Sequence, residues 1–182
     1  QLINPQIIRH FLDAAQAGFE SNRVLSEQTG DKQCLAAANN GLGLVAYYRG
    51  EYEEAIQRHT AAWSIRQTID DPTGLGNSMN NLAFVYTATG EYDKALEFAY
   101  TGLEVRQQAG DPGSAGYSVF VIADILANQA QYAEARRLLE QSLEIFRQVG
   151  DQLRVAYVLS TRGLVDREER QLQEAARNLT ES

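Results

Sequence analysis

A single cysteine, Cys34, stands in a chain of 182 residues. That excludes an internal disulfide framework and suits a reducing compartment. The only histidines are His10 and His59, which leaves no Cys/His cluster with zinc spacing. Proline is scarce, three residues in all, whereas Ala and Leu abound, a balance that favours helix over sheet. Positive charge is also short: 16 Lys and Arg against 24 Asp and Glu give a formal net charge of −8. Nucleic-acid binders carry a basic footprint, so this argues against that class and leaves a basic partner open. No apolar run approaches the roughly 18 residues of a membrane span, and no charged-then-apolar signal segment opens the chain. A cytoplasmic location without membrane contact is the expectation. What remains is ordinary globular material, 44% hydrophobic and 22% charged, enough for a sizeable core.

The most informative feature present is a period of forty residues. Gly50-Glu51-Tyr52-Glu53-Glu54-Ala55 returns as Gly90-Glu91-Tyr92-Asp93-Lys94-Ala95, then as Ala130-Gln131-Tyr132-Ala133-Glu134-Ala135, and last as Arg170-Gln171-Leu172-Gln173-Glu174-Ala175. A second marker keeps the same step: Gly30-Asp31, Asp70-Asp71-Pro72, Gly110-Asp111-Pro112 and Gly150-Asp151. Two markers locked to one period mean one supersecondary unit copied along the chain, hence a solenoid. A solenoid offers surface rather than an enclosed active site, so binding is the expected activity. The chain enters and leaves inside the pattern, as expected of a fragment.

Residues 71–110 show how one unit is built. Asp71 is placed to cap a helix N-terminus, and Pro72 takes the first helical position, where its missing N–H costs nothing. Gly90 ends the first helix with a positive φ. Asp93 then puts a carboxylate in the first turn of the second, where the helix dipole favours it. The unit reads as two helices of about 17 residues joined by tight turns. Leu75, Met79, Leu82, Ala83 and Tyr86 recur at helical steps. The column Gly43, Ala83, Ala123, Gly163 and the column Ala15, Ala55, Ala95, Ala135, Ala175 are small, which lets helix axes approach closely.

These residues resemble the tetratricopeptide repeat, whose W-x2-L-G-x2-Y and A-x3-F elements are matched in part. Leu82-Ala83-Phe84-Val85-Tyr86 carries the first element best, Leu42-Gly43 its centre, and Ile122-Ala123 with Leu126 a looser copy. Ala15 with Phe19 fits A-x3-F, and later copies put His59, Ala99, Leu139 and Leu179 at the Phe place. The forty-residue step resembles the long-helix subclass of kinesin light chains, mitotic-spindle adaptors and bacterial STAND-type signalling ATPases. The phrasing of residues 39–47 and 143–151 looks most like the STAND regulators. The resemblance implies an all-α fold, a right-handed α-solenoid of stacked antiparallel helix pairs. Under this register, residues 1–30 are an N-terminal helix, an incomplete repeat or cap. Repeats follow at 31–70, 71–110 and 111–150, with a truncated fourth at 151–182, all in one solenoid domain. In the fourth, Arg162 and Asp166 replace apolar residues and are expected to pair with each other on a polar edge.

No catalytic constellation is found, so no enzyme activity, cofactor or metal is expected within the chain. His59 stands where the family has a core aromatic and reads as a packing residue. Cys34 lies near a helix start as a buried or idle thiol. Gly41-Leu42-Gly43 falls inside a helix and so cannot cradle phosphate. In the family's fold, the first helices of successive repeats line the concave side. The residues left free there are Asn40, Leu44 and Tyr47, with Tyr48, in the first unit. In the second they are Asn77, Asn80, Asn81 and Phe84. In the third they are Tyr117, Phe120, Asp124 and Asn128, and in the fourth Tyr157 and Arg167. An Asn amide both donates to and accepts from a peptide backbone, and a ring gives apolar contact with few torsions to freeze. Helix-face Asn is equally common as a cap or packing-neutral residue. Leu44, Phe84 and Asp124 occupy the clamp-lining row of the family's chaperone-tail binders, and the groove contains no Lys, so a C-terminal carboxylate is not the expected ligand. The expected role is a protein or peptide interaction module that uses this groove. By resemblance it is the sensor or oligomerisation arm of a bacterial signalling or transcription regulator, with self-association through terminal repeats open. The alternatives are a stand-alone peptide-binding adaptor and a small-molecule-sensing domain.

Overall fold

Four of the turns are set by one chemical pattern. Asp31, Asp71, Asp111 and Asp151 each accept from a backbone N–H three residues on, at 2.9, 2.8, 3.0 and 3.0 Å, so the first turn of each following helix has a satisfied donor. Asn4 does the same for Gln6 at 2.9 Å. In this computed structural model residues 4–180 are described, with side chains placed except at 175, 176 and 178–180; the Ala175 and Leu179 expectations therefore lie outside the described side chains. The described residues form eight helices: α1 (Pro5–Thr29), α2 (Lys32–Arg49), α3 (Tyr52–Arg66), α4 (Pro72–Ala88), α5 (Tyr92–Gln108), α6 (Pro112–Asn128), α7 (Tyr132–Gln148) and α8 (Gln152–Thr180).

Each helix packs on the next, and α2, α4, α6 and α8 also touch one another in sequence. The result is an all-α solenoid with two layers, the first helices on one side and α3, α5 and α7 on the other. Ala55, Ala95 and Ala135 are fully buried where the layers meet, as are Ala83 and Ala123. Gly43 is tighter still, because a Cβ there would come within 2.6 Å of the His59 ring.

One column of the interface changes chemistry along the array. Arg66 and Arg106 are buried at the ends of α3 and α5. Arg66 Nη1 donates to the Gly74 carbonyl and Ser78 Oγ at 2.7 and 2.8 Å. Arg106 donates to Ser118 Oγ at 2.5 Å and Asn77 Oδ1 at 2.6 Å. One unit on, the arginine place holds Phe146 and the serine place Val158, both 1% exposed. Arg bonds to Ser in the first two units, and Phe146 and Val158 share one buried apolar cluster in the third, so each helix end is matched in chemistry to the helix that follows it.

Two expectations are corrected. The return of the repeat motif at 170–175 implies a turn like those at Gly50 and Gly90, but α8 runs unbroken through it. Gly50 and Gly90 turn the chain with φ of 77° and 79°, and Ala130 does so at φ 59°, whereas Arg170 stays helical. Arg162 and Asp166 do not pair with each other. They reach across to α7, Arg162 to Glu140 and Asp166 to Arg136 at 3.6 Å, because α7 packs alongside and presents opposite charges.

Candidate functional site in the concave trough

Tyr48 of α2 and Tyr157 of α8 wall the same cavity. A flat layer of helices spaced roughly 8–10 Å apart would hold them too far apart to do so, so the row of first helices is concave. The cavity, about 250 Å³, is lined by Leu44, Tyr47, Tyr48, Asn81, Phe84, Tyr117 and Tyr157, with His59 of α3 beneath. Four successive first helices thus contribute one or more side chains each.

Rings form its continuous wall. Phe84 lies 6.5 Å from Tyr117, Tyr117 stacks on Phe120 at 6.0 Å, and Phe120 meets Tyr157 at 5.1 Å. On the opposite side Tyr47 and Tyr48 pack edge to face at 5.5 Å. Burial, first of all, holds the phenols of Tyr47, Tyr117 and Tyr157 above their ordinary range.

The floor is a small polar network. Asn40 Oδ1 meets Asn81 Nδ2 at 3.0 Å and His59 Nδ1 at 2.8 Å. An amide oxygen only accepts, so Nδ1 carries the imidazole proton and Nε2 is a bare lone pair. Nε2 is buried without a partner. Burial, assisted by the Arg66 charge, pushes the imidazole down to about 4, so the floor is neutral at pH 7. Asp124 of α6 does not line the cavity but is electrostatically linked to two tyrosines that do. Burial raises its carboxyl above the usual range, no cation counters that, and no hydrogen bond or ion pair among the described residues takes its carboxylate. Its charge reaches the Tyr47 and Tyr157 phenols.

The remaining groove expectations divide. Asn80 is 1% exposed and bonded to Ser118 at 3.3 Å, so it is an interior residue and offers nothing to a partner. Phe120 is likewise 1% exposed and supports Tyr117 and Tyr157 from behind. Asn77 is exposed, with its Oδ1 held by Arg106. Asn128 donates to the Asp124 backbone carbonyl at 2.8 Å, and Arg167 is exposed on α8 outside the cavity wall. His59 was expected only as packing, yet it also floors the cavity; the sequence signal was Gly43, whose missing side chain makes room for the ring. Cys34 is exposed rather than buried, and the Asp31 carboxylate beside it pushes the thiol up, which leaves it a poor nucleophile.

With this geometry in hand, the relationships of the chain are clear. The Tetratricopeptide repeat family model matches residues 33–108 and 114–182. The chain belongs to the tetratricopeptide repeat family. Among curated proteins none matches the sequence. Among solved structures it is similar to BtubC (BKLC) from P. vanneervenii, with a TM-score of 0.73 and 20% identity, over 87% of this chain and 66% of that one. It is similar to the apo form of RapI at 0.72 and 18%, over 92% and 47%. A STAND protein with a tetratricopeptide repeat sensor from Pyrococcus horikoshii follows at 0.71 and 17%, over 85% and 24%. The chain therefore spans 66% or less of the length of each. Identities this low show the shared fold. Repeats of this family are typically non-catalytic interaction modules. Among the described residues no group of three or more His, Cys, Asp or Glu is placed to hold a metal, and no helix is long and apolar enough to cross a membrane.

Proposed function

We propose that the concave trough binds an extended segment of a partner protein, and that three full units, 31–70, 71–110 and 111–150, with the helix after them, form its wall. The observation that carries this reading is the cavity shared by α2, α4, α6 and α8, with Tyr48 and Tyr157 on its wall more than half exposed. Rings with two torsions each give contact area at low entropic cost, and the Asn81 amide in the floor supplies a directional polar contact. The finer role is the sensor arm of a cytoplasmic signalling regulator. It is supported by the phrasing of Asn39-Asn40-Gly41-Leu42-Gly43-Leu44-Val45-Ala46-Tyr47 and by the similarity to the sensor of the STAND protein.

The test is selection of a random-peptide display library on this chain. Selected peptides are expected to lose binding to Phe84→Ala and Tyr157→Ala but to keep it with Tyr100→Ala, which removes an exposed ring from α5. Peptides that bind all three variants alike would show that the trough is not the recognition surface.

A further inference from the structure

The trough is lined by the rings of Tyr47, Tyr48, Phe84, Tyr117 and Tyr157, whose π faces attract cations. The Asp124 carboxylate has no partner among the described residues, and its charge acts on the Tyr47 and Tyr157 phenols of that lining. Electron-rich rings within reach of an unpaired carboxylate call for a group that carries positive charge and stacks. Two internal cations do approach Tyr117. Arg154 lies 5.5 Å from its ring centroid and is paired with Asp151 at 3.4 Å. Arg106 is buried and held by Ser118 and Asn77. Both are committed elsewhere, and neither contributes to Asp124.

Size narrows the occupant. Sites for whole small molecules run to about 300–1,000 Å³, and this cavity is about 250 Å³, room for one side chain rather than a free-standing metabolite. Charge points the same way, since the chain carries a net −8, which attracts basic segments over distance. Between the basic side chains, guanidinium fits better than ammonium: its plane stacks on rings and its five donors fork onto a carboxylate.

We infer that the cavity between Tyr47, Tyr48, Phe84, Tyr117 and Tyr157 receives an arginine side chain of the bound segment, with Asp124 as its counter-charge. This rests on the trough being the binding surface and adds the residue that anchors there. Asp124 sits in the row with Leu44 and Phe84, one first-helix step beyond Phe84 and two beyond Leu44, so a segment crossing the first helices would pass its carboxylate.

The test needs no knowledge of the partner. N-acetyl-arginine amide and its neutral isostere N-acetyl-citrulline amide are titrated into the chain while tyrosine ring signals are followed by NMR. The arginine amide is expected to give saturable shifts at Tyr47, Tyr117 and Tyr157, with Tyr100 unmoved, and the citrulline amide none in the same range. Asp124→Asn should weaken the response roughly tenfold or more while keeping its helical circular dichroism; Tyr157→Leu should weaken it independently. Equal shifts from both amides, no shift from either, or a response that Asp124→Asn leaves unchanged would overturn the assignment. Groove-dependent peptides without a fixed basic position would do so too, while leaving the proposed binding function intact.

Discussion

At the scale of single residues, His59 sets a measurable pH dependence. Its ring is fully buried against Gly43 and neutral, with its folded value lowered from 6.5 to about 4. The unfolded chain binds the proton first as pH falls. The stability tied to neutral His59 is therefore complete above about 6.5 and is lost as pH drops toward about 4, on the order of a few kcal/mol in all. His59→Leu, which copies Leu139 two array positions along, should flatten that segment of a urea-denaturation profile taken from pH 7 to pH 4. A variant curve parallel to the parent would contradict the burial argument. The sequence marked His59 as unusual but not as titrating abnormally, since its isolation from water depends on Gly43, Asn40 and Asn81 meeting across three helices. Asn80 shows the reverse failure. It shares a helix column with Asn40 and looked equally free, but it is buried and bonded to Ser118 of the next repeat, which a helical wheel cannot see.

At the scale of elements, the array is held by matched helix ends. Arg106 with Ser118 and Phe146 with Val158 are alternative solutions to the same contact. Burial draws the Arg106 guanidinium down to about 10, still protonated at neutral pH, and its Nε is left without a partner. Ser118→Val alone should destabilise by about 3 kcal/mol, because it strands a buried charged donor. Arg106→Phe alone should also destabilise. Together they rebuild the Phe–Val solution, and a double-mutant cycle by urea denaturation is expected to show favourable coupling of about 1–2 kcal/mol. Strict additivity would mean that the two columns are independent. Helix limits were legible because Asp caps and Gly50, Gly90, Gly110 and Gly150 punctuate the chain. The motif at 170–175 implied a turn because Leu172 and Glu174 keep the pattern, but Arg170 stays helical and α8 runs on. Arg162 and Asp166 were paired wrongly for a related reason: spacing along one helix says nothing of Arg136 and Glu140 on its neighbour.

At the scale of the whole molecule, the forty-residue period was enough to place an all-α solenoid, because repetition of caps and small residues leaves little else to build. The trough was legible as a strip of Asn and aromatic residues. Its shape was not, since Tyr48 and Tyr157 share one cavity only through the curvature accumulated over four units. The central claim is that this inner curve is where a partner lies. The most direct measurement is photocrosslinking with mass-spectrometric mapping, using a display-selected peptide that carries a photoactivatable residue beside its basic position. Crosslinks on the inner faces of α2, α4, α6 and α8, near Leu44, Phe84 and Tyr157, are the predicted result. Crosslinks concentrated on the outer faces of α3, α5 and α7, around Tyr100, would contradict it.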